Sequence, residues 1–260
     1  MIGCGGAGTT TSNSTYHDSS NITSLNTQSN VKKMPTDKEG KITTIVTDGN
    51  ANGVALYDET LFVSEGEDGV EIIHIGYNDT ISTEILSKII GINAQSVILS
   101  KDTKKLYIED DIGYMVIYDV SDLSHPIMIG KTTKQKIDNA AISKNGTYKY
   151  IPRGEDGLEV ENISNPSKTD KVSTYNISNA FDVVLVDDGT KALIATGAVG
   201  INLIDISNPT HLTTLANYRI RGSSIMGLSL NKSDEILFVA TGDKGVLVFN
   251  LEILMHKLGY

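Results

Sequence analysis

The chain has 260 residues, 39% of them apolar and 21% charged, which is enough for a substantial core, and it has no run of about 18 apolar residues that could span a bilayer. Its formal charge of −10 belongs to the body: the first 41 residues carry four lysines against Asp18, Asp37 and Glu39, leaving 18 basic and 29 acidic residues beyond them. An acidic body with no basic patch repels phosphate backbones, so nucleic acid is not an expected partner.

Residues 5–30 are almost wholly Gly, Thr, Ser and Asn and show no hydrophobic periodicity, a composition that reads as a tether. Cys4, the only cysteine, stands at its head in Ile2-Gly3-Cys4-Gly5. A small residue before a cysteine and a polar linker after it resemble the lipidation site of a bacterial lipoprotein, which requires an apolar stretch upstream. The expected organisation is a tether with a lipidation site over residues 1–40 and a folded, monomeric domain over 41–260. The expected location is the cell envelope or the exterior, touching a membrane only through a lipid on Cys4. Without an upstream signal sequence it is cytoplasmic.

The folded region opens on a strand-like segment, KITTIVTDG at 41–49, and then one stretch returns five times: VSEGEDGVEIIHI, IEDDIGYMVIYDV, IPRGEDGLEVENI, IATGAVGINLIDI and VATGDKGVLVFNL. Anchored on His74, Asp119, Asn162, Asp205 and Asn250, the copies lie 45, 43, 43 and 45 residues apart. That is about the length of a four-stranded propeller blade, roughly 40 to 50 residues. Within each copy apolar and polar residues alternate with period two, giving three strands joined by turns such as Asp68-Gly69, Asn145-Gly146, Asp156-Gly157 and Asp188-Gly189. A fourth strand follows each of the first four triplets: STEILSKII, IMIGKTTKQ, KVSTYNI and LTTLANYRI. The last triplet has none, because only nine residues follow Leu251. The segment at 41–49 can supply it, so the expected fold is an all-β, five-bladed propeller of four-stranded antiparallel blades closed by its N-terminal strand.

The strings Val116-Ile117-Tyr118-Asp119-Val120-Ser121-Asp122 and Leu203-Ile204-Asp205-Ile206-Ser207-Asn208-Pro209, with a weaker copy at Glu161–Pro166, resemble the LVIVD repeat of bacterial and archaeal exported or surface propellers. The resemblance covers residues 42–251. It implies a repeat scaffold of a kind that mostly lacks an assigned activity and is taken to bind proteins or carbohydrates outside the cytoplasm.

Candidate chemistry is sparse. Asp48-Gly49-Asn50-Ala51-Asn52-Gly53 followed by Glu59 matches an EF-hand calcium loop letter for letter. Its flanks read as strands, however, and Glu59 falls at the far end of one, so Asp48, Asn50 and Asn52 are expected in an inter-blade loop without calcium or any other cofactor. The five histidines share no metal-ligand spacing. Asp119, Asn162, Asp205 and Asn250 recur at strand ends, where a turn-forming role outweighs a catalytic one. On the face that gathers the second-to-third strand turns and the inter-blade loops, two of three arginines, Arg153 and Arg221, join Asp138, Asp182 and many other acidic or amide side chains. Two turns depart from the repeat: Arg153 stands where other units carry Glu65, Glu109 or Thr196, and Asp111 and Tyr114 stand where others keep glycine. The expected function is non-catalytic binding of a protein or glycan through Arg153, Arg221, Asp111, Tyr114, Asp138 and Asp182. The alternatives are a lactonase-like metal-dependent hydrolase using Asp48, Asp138 and Asp182, and a structural or adhesion module.

Overall fold

The structure, a computed structural model, describes residues 34–100, 104–132, 139–165, 168–231, 233 and 235–260. The first strand, β1 (Lys41–Ile45), belongs to the last blade. Blade 1 holds β2 (Gly53–Tyr57), β3 (Thr60–Ser64), β4 (Val70–Tyr77) and β5 (Ile81–Ile89), and blade 2 holds β6 (Ala94–Ser100), β7 (Lys105–Asp110), β8 (Met115–Asp119) and β9 (Ile127–Lys131). Blade 3 holds β10 (Ala141–Ile142), β11 (Tyr148–Pro152), β12 (Leu158–Asn162) and β13 (Asp170–Tyr175). Blade 4 holds β14 (Asp182–Val186), β15 (Lys191–Ala195), β16 (Ile201–Asp205) and β17 (Thr213–Tyr218). Blade 5 holds β18 (Gly227–Leu230), β19 (Ile236–Ala240) and β20 (Val246–Asn250), and β1 completes it by pairing antiparallel with β20, Thr44 opposite Leu247. The ring therefore closes through its N-terminal strand, as strand counting requires. Met34 is already buried among the side chains of blades 1 and 5.

Period-two alternation gives each blade two faces, one for each neighbour. In blade 1, Phe62, Val70 and Ile72 meet Val97, Leu106 and Ile108 of blade 2, while Leu61, Val63 and Ile73 on the opposite face meet Ile236, Phe238 and Val248 of blade 5. Each such fully buried side chain stabilises the ring by about 1.5–3 kcal/mol.

The recurrent polar residue at the end of the third strand makes turns, not chemistry. Asp119 Oδ1 accepts from Ser121 N at 2.8 Å, Asn162 Oδ1 from Ser164 N at 2.9 Å and Asp205 Oδ1 from Ser207 N at 2.9 Å. Blade 1 has His74 there, and β4 runs on to a tight hairpin with β5. In blade 5 the same device starts a helix, α1 (Leu251–Lys257), which the sequence reading left as a remnant: Asn250 Oδ1 accepts from Ile253 N at 3.0 Å, Glu252 lies in the first turn and His256 and Lys257 in the last. Leu251 and Leu254 bury the helix against blades 4 and 5. Asn250→Ala is expected to lower unfolding stability by about 1 kcal/mol, read as a shift in urea midpoint at constant slope.

Candidate functional site: the loop face

Second-to-third strand turns and inter-blade loops share one face and are hydrogen-bonded across the seams. Gly66 and Ala94 exchange two backbone bonds of 2.9 and 2.7 Å, and Gly154 with Ala180, Gly197 with Ile225 and Gly242 with Ala51 do the same. These glycines have φ near +60°, a backbone that L side chains rarely adopt.

Beneath each turn lies a polar network whose members change from blade to blade. In blade 1 it is acidic: Glu65 and Glu71 are both buried, Lys88 reaches Glu71 Oε1 at 2.9 Å and also binds Asp48, and Gly49 N donates to Glu65 Oε2 at 3.3 Å. Burial first, and the neighbouring Glu71 second, push the Glu65 carboxyl up to about 7. In blade 2, Asp110 accepts from Tyr114 N at 2.7 Å and Lys131 Nζ at 3.1 Å. Burial acts to raise its pKa, but the amide and the ammonium prevail and hold it below the usual carboxylate range. The Lys131 ammonium lies 4.7 Å from the centre of the Tyr114 ring.

In blade 3, Arg153 Nη2 donates to Glu159 Oε1 at 3.1 Å while Lys171 binds Glu159 Oε2 at 2.9 Å. The lysine first, and then the arginine, depress the Glu159 pKa. Blade 4 is neutral: Asn217 donates to Asn202 at 3.2 Å, Asn202 to Thr196 at 2.8 Å and Thr196 to the Gly200 carbonyl at 2.8 Å. In blade 5 Thr241 donates to the Gly245 carbonyl at 2.8 Å.

The register corrects one alignment. The first turn residue donates its amide across the turn in all five blades: Glu65 to Gly69, Asp110 to Tyr114, Arg153 to Gly157, Thr196 to Gly200 and Thr241 to Gly245, at 2.8 to 3.0 Å. The counterpart of Arg153 is therefore Asp110, not Glu109, which pairs with Met115 one position earlier in β7. Asp111 and Tyr114 do replace glycines.

Of the residues singled out from sequence, Arg153 is tied to its own blade. Arg221 is exposed, its carbonyl accepting from Lys244 Nζ at 3.0 Å. Asp111 is exposed, and Tyr114 is half-buried beside Lys131. Asp138 and Cys4 lie outside the described residues. Asp182 stands on the inner strand of blade 4 and is half-buried. Its two oxygens accept from Val183 N and Leu228 N, each at 2.7 Å, the second bond crossing to blade 5. Desolvation outweighs both amides and raises its pKa to about 7.

Asp182 is one of five innermost residues, with Gly53, Ser96, Asn139 and Gly227. Ser96 Oγ donates to Asn139 Oδ1 at 2.8 Å, Asn139 Nδ2 to Phe181 O at 3.1 Å, and a Cβ on Gly227 would lie 3.0 Å from Gly53 Cα. The Asp182–Leu228 bond ties blade 4 to blade 5 at the same level.

Asp48 is held by Lys88, Asn50 is exposed, Asn52 Nδ2 donates to Ala94 O at 3.4 Å, and Glu59 lies beyond the far end of β2. Among the described residues no three His, Cys, Asp or Glu side chains converge. Sequence reasoning missed Glu71, Lys88, Lys131, Glu159 and Lys171, because they sit on third and fourth strands and not in turns. A signal existed: Glu71 in VEIIHI and Glu159 in LEVENI interrupt strands that otherwise read apolar on their inner half.

Twenty strands in five four-stranded sheets make the chain a five-bladed β-propeller. It carries LVIVD repeats: the LVIVD repeat model matches residues 93–133, 138–177 and 189–219, in blades 2, 3 and 4. None of the curated proteins compared with the chain matches it. Among solved structures, a chain of the mitotic checkpoint complex superimposes with a TM-score of 0.57 at 11% identity, over 83% of this chain and 96% of the other. A Bacteroides thetaiotaomicron protein of unknown function gives 0.50 at 12% identity, over 85% and 73%. The periplasmic gluconolactonase PpgL of Pseudomonas aeruginosa gives 0.40 at 13%, over 77% and 66%. At these identities the likeness is one of fold alone.

Proposed function

We propose that the protein is a non-catalytic binding scaffold of the cell envelope, which recognises a protein or glycan through its loop face as a monomer anchored by a lipid on Cys4. The observation that carries this reading is the division of labour on that face. Several charged groups beneath the turns are paired with one another, Lys88 with Glu71 and Asp48, Lys131 with Asp110, Arg153 and Lys171 with Glu159. The turns above them share one cross-turn amide bond and display exposed, unlike side chains: Glu67 and Asp68, Asp111 and Ile112, Glu155 and Asp156, Ala198 and Val199, Asp243 and Lys244. Constant backbone carrying variable tips is what recognition by a repeat scaffold requires.

The acidic tips favour a partner with cationic or hydroxyl-rich groups. The test is a glycan and peptide array probed with the wild-type protein and with a Glu67→Lys/Asp111→Lys/Glu155→Lys/Asp243→Lys variant. Binding should weaken at least tenfold in the variant with Tm unchanged, whereas equal binding by both proteins would refute a role for this face. Fractionation of the host organism tests the anchor: Cys4→Ser should move the protein from the detergent phase to the soluble phase.

A further inference from the structure

Two exposed apolar side chains stand where other blades carry polar ones. In four blades the register places one residue of the outermost strand opposite the start of the third: Ile45 opposite Val246, Ile89 opposite Val70, Tyr175 opposite Leu158 and Tyr218 opposite Ile201. The residue that follows is exposed in all four, at the rim of the loop face. It is Val46 in blade 5 and Ile90 in blade 1, but Asn176 in blade 3 and Arg219 in blade 4. Asparagine and arginine are residues that water favours at such a place.

Val46 and Ile90 keep 85% and 76% of their surface in water, more than any other large apolar side chain among the described residues. Single exposed apolar residues are ordinary on a protein surface. A pair at one structural position in adjacent blades, flanking one turn, is not a random scatter.

The turn between them is acidic. The loop that follows Val46 lies on the blade 1 turn: Asp48 binds Lys88 of β5, Gly49 N donates to Glu65 Oε2, and a Cβ on Gly49 would lie 2.5 Å from Asp68 Oδ2. At the other side of the turn, a Cβ on Gly69 would lie 3.3 Å from Ile90 Cα. Val46, Asp48, Glu67, Asp68 and Ile90 therefore form one continuous strip along the rim. Lys88 takes up Asp48, whereas Glu67 and Asp68 are exposed and make no ion pair among the described residues. In the neighbouring turn of blade 5 the charges of Asp243 and Lys244 offset each other.

The chemistry of the strip selects its occupant. Branching at Cβ leaves Val and Ile few rotamers to lose when they are covered, so both are preorganised apolar anchors. Neither offers a hydrogen-bonding group to a hydroxyl-rich ligand. The carboxylates between them repel an anionic lipid surface and also the same strip on a second copy of the chain. Apolar anchors beside unpaired carboxylates are complemented by a polypeptide that carries Lys or Arg between apolar side chains.

We propose that this strip is the docking site of a protein partner, met through a segment that combines basic and apolar side chains. It rests on the loop-face reading above, and narrows it from a protein or glycan to a protein and from the whole face to the rim where blades 5 and 1 adjoin.

The probe is a displayed library of random peptides of about a dozen residues, selected against the immobilised full chain. Enriched peptides are expected to interleave Lys or Arg with Leu, Ile, Val or Phe. They should bind Val46→Ser/Ile90→Ser, and separately Glu67→Gln/Asp68→Asn, at least about tenfold more weakly than wild type. Asn176→Ser/Arg219→Ser, altered at the equivalent positions of blades 3 and 4, should bind them like wild type. The altered side chains are all exposed, so Tm should stay constant throughout. Failure to enrich such peptides, equal binding by wild type and Val46→Ser/Ile90→Ser, or an equal loss in Asn176→Ser/Arg219→Ser would overturn the proposal. A glycan bound by wild type, lost in the quadruple lysine variant and kept by Val46→Ser/Ile90→Ser overturns the strip while the loop face stands.

Discussion

Raising the pH from 4 to 8 is expected to destabilise the native protein, and Glu65→Gln is expected to flatten most of one contribution to that loss. Glu65 and Asp182 both have native pKa values raised to about 7, from ordinary values of 4.5 and 3.8. A carboxyl whose folded pKa exceeds its unfolded one stabilises the fold fully below the unfolded value, and that stability is lost as pH rises through the folded value. The window runs from about 4 to about 7. At about 1.36 kcal/mol for each pKa unit the two sites together amount to several kcal/mol, an upper figure because the surroundings relax on ionisation.

The carboxylates held low by partners, Asp110 and Glu159 among them, act in the opposite direction and cost stability only below the ordinary carboxylate range. Stability should therefore be greatest on the acid side of neutrality. In Glu65→Gln an amide oxygen can still accept from Gly49 N, and repulsion from Glu71 disappears, so the variant should match wild type near pH 4 and exceed it at pH 8. Urea titrations at intervals of pH read this directly, and parallel wild-type and Glu65→Gln curves would show that Glu65 ionises normally. Asp182→Asn loses its pH dependence as well, but at a cost at every pH of about 1–3 kcal/mol, since the new amide faces either Val183 N or Leu228 N.

The fold was legible in the sequence because its unit is repeated. Five glycine-punctuated turns at near-constant spacing, together with one missing fourth strand at the C-terminus and one spare strand at the N-terminus, leave a single way to close the ring. The Asx turns at Asp119, Asn162 and Asp205 were readable for the same reason, since a polar residue at the same strand end in successive units has the same local task. The site was less legible. Arg153 reads as a candidate recognition residue because it is rare and sits in a turn, while its ion pair with Glu159 on the next strand, which Lys171 on the one after shares, is not part of that reading. Such partners lie six and eighteen residues away and are not visible in a turn read by itself.

Gly69→Ala is expected to be among the most damaging single substitutions in the protein, and Gly154→Ala among the milder ones, though both glycines belong to the same repeated motif. Gly69, Gly157, Gly200 and Gly245 close their turns with φ between +72° and +113°, and a Cβ at any of them would lie 1.9 to 2.3 Å from a carbonyl oxygen of the outermost strand. At Gly69 that oxygen belongs to Ile89 and the distance is 1.9 Å, so the backbone of β5 or of the turn must move. A left-handed φ alone costs roughly 1–2 kcal/mol for a side chain, and the collision adds displacement of a strand that packs against blade 2 through Ile89. A loss above about 3 kcal/mol follows. Gly154 has φ +61° but open space where a Cβ would stand, so only the conformational term applies.

Blade 2 shows the alternative to glycine at this place. With Tyr114 in the closing position, the positive φ moves back one residue to Gly113, and the Asp110 carboxylate takes up the Tyr114 amide. The Asp111 amide bonds the Asn93 carbonyl at 3.0 Å. A Gly69→Tyr substitution alone cannot repeat this, because Asp68 would have to adopt the conformation that Gly113 supplies. Replacing Glu65–Gly69 with the sequence Asp-Asp-Ile-Gly-Tyr of residues 110–114 should instead recover much of the Tm lost in Gly69→Ala. If it does not, the turn conformation of blade 2 depends on its surroundings more than on its own five residues.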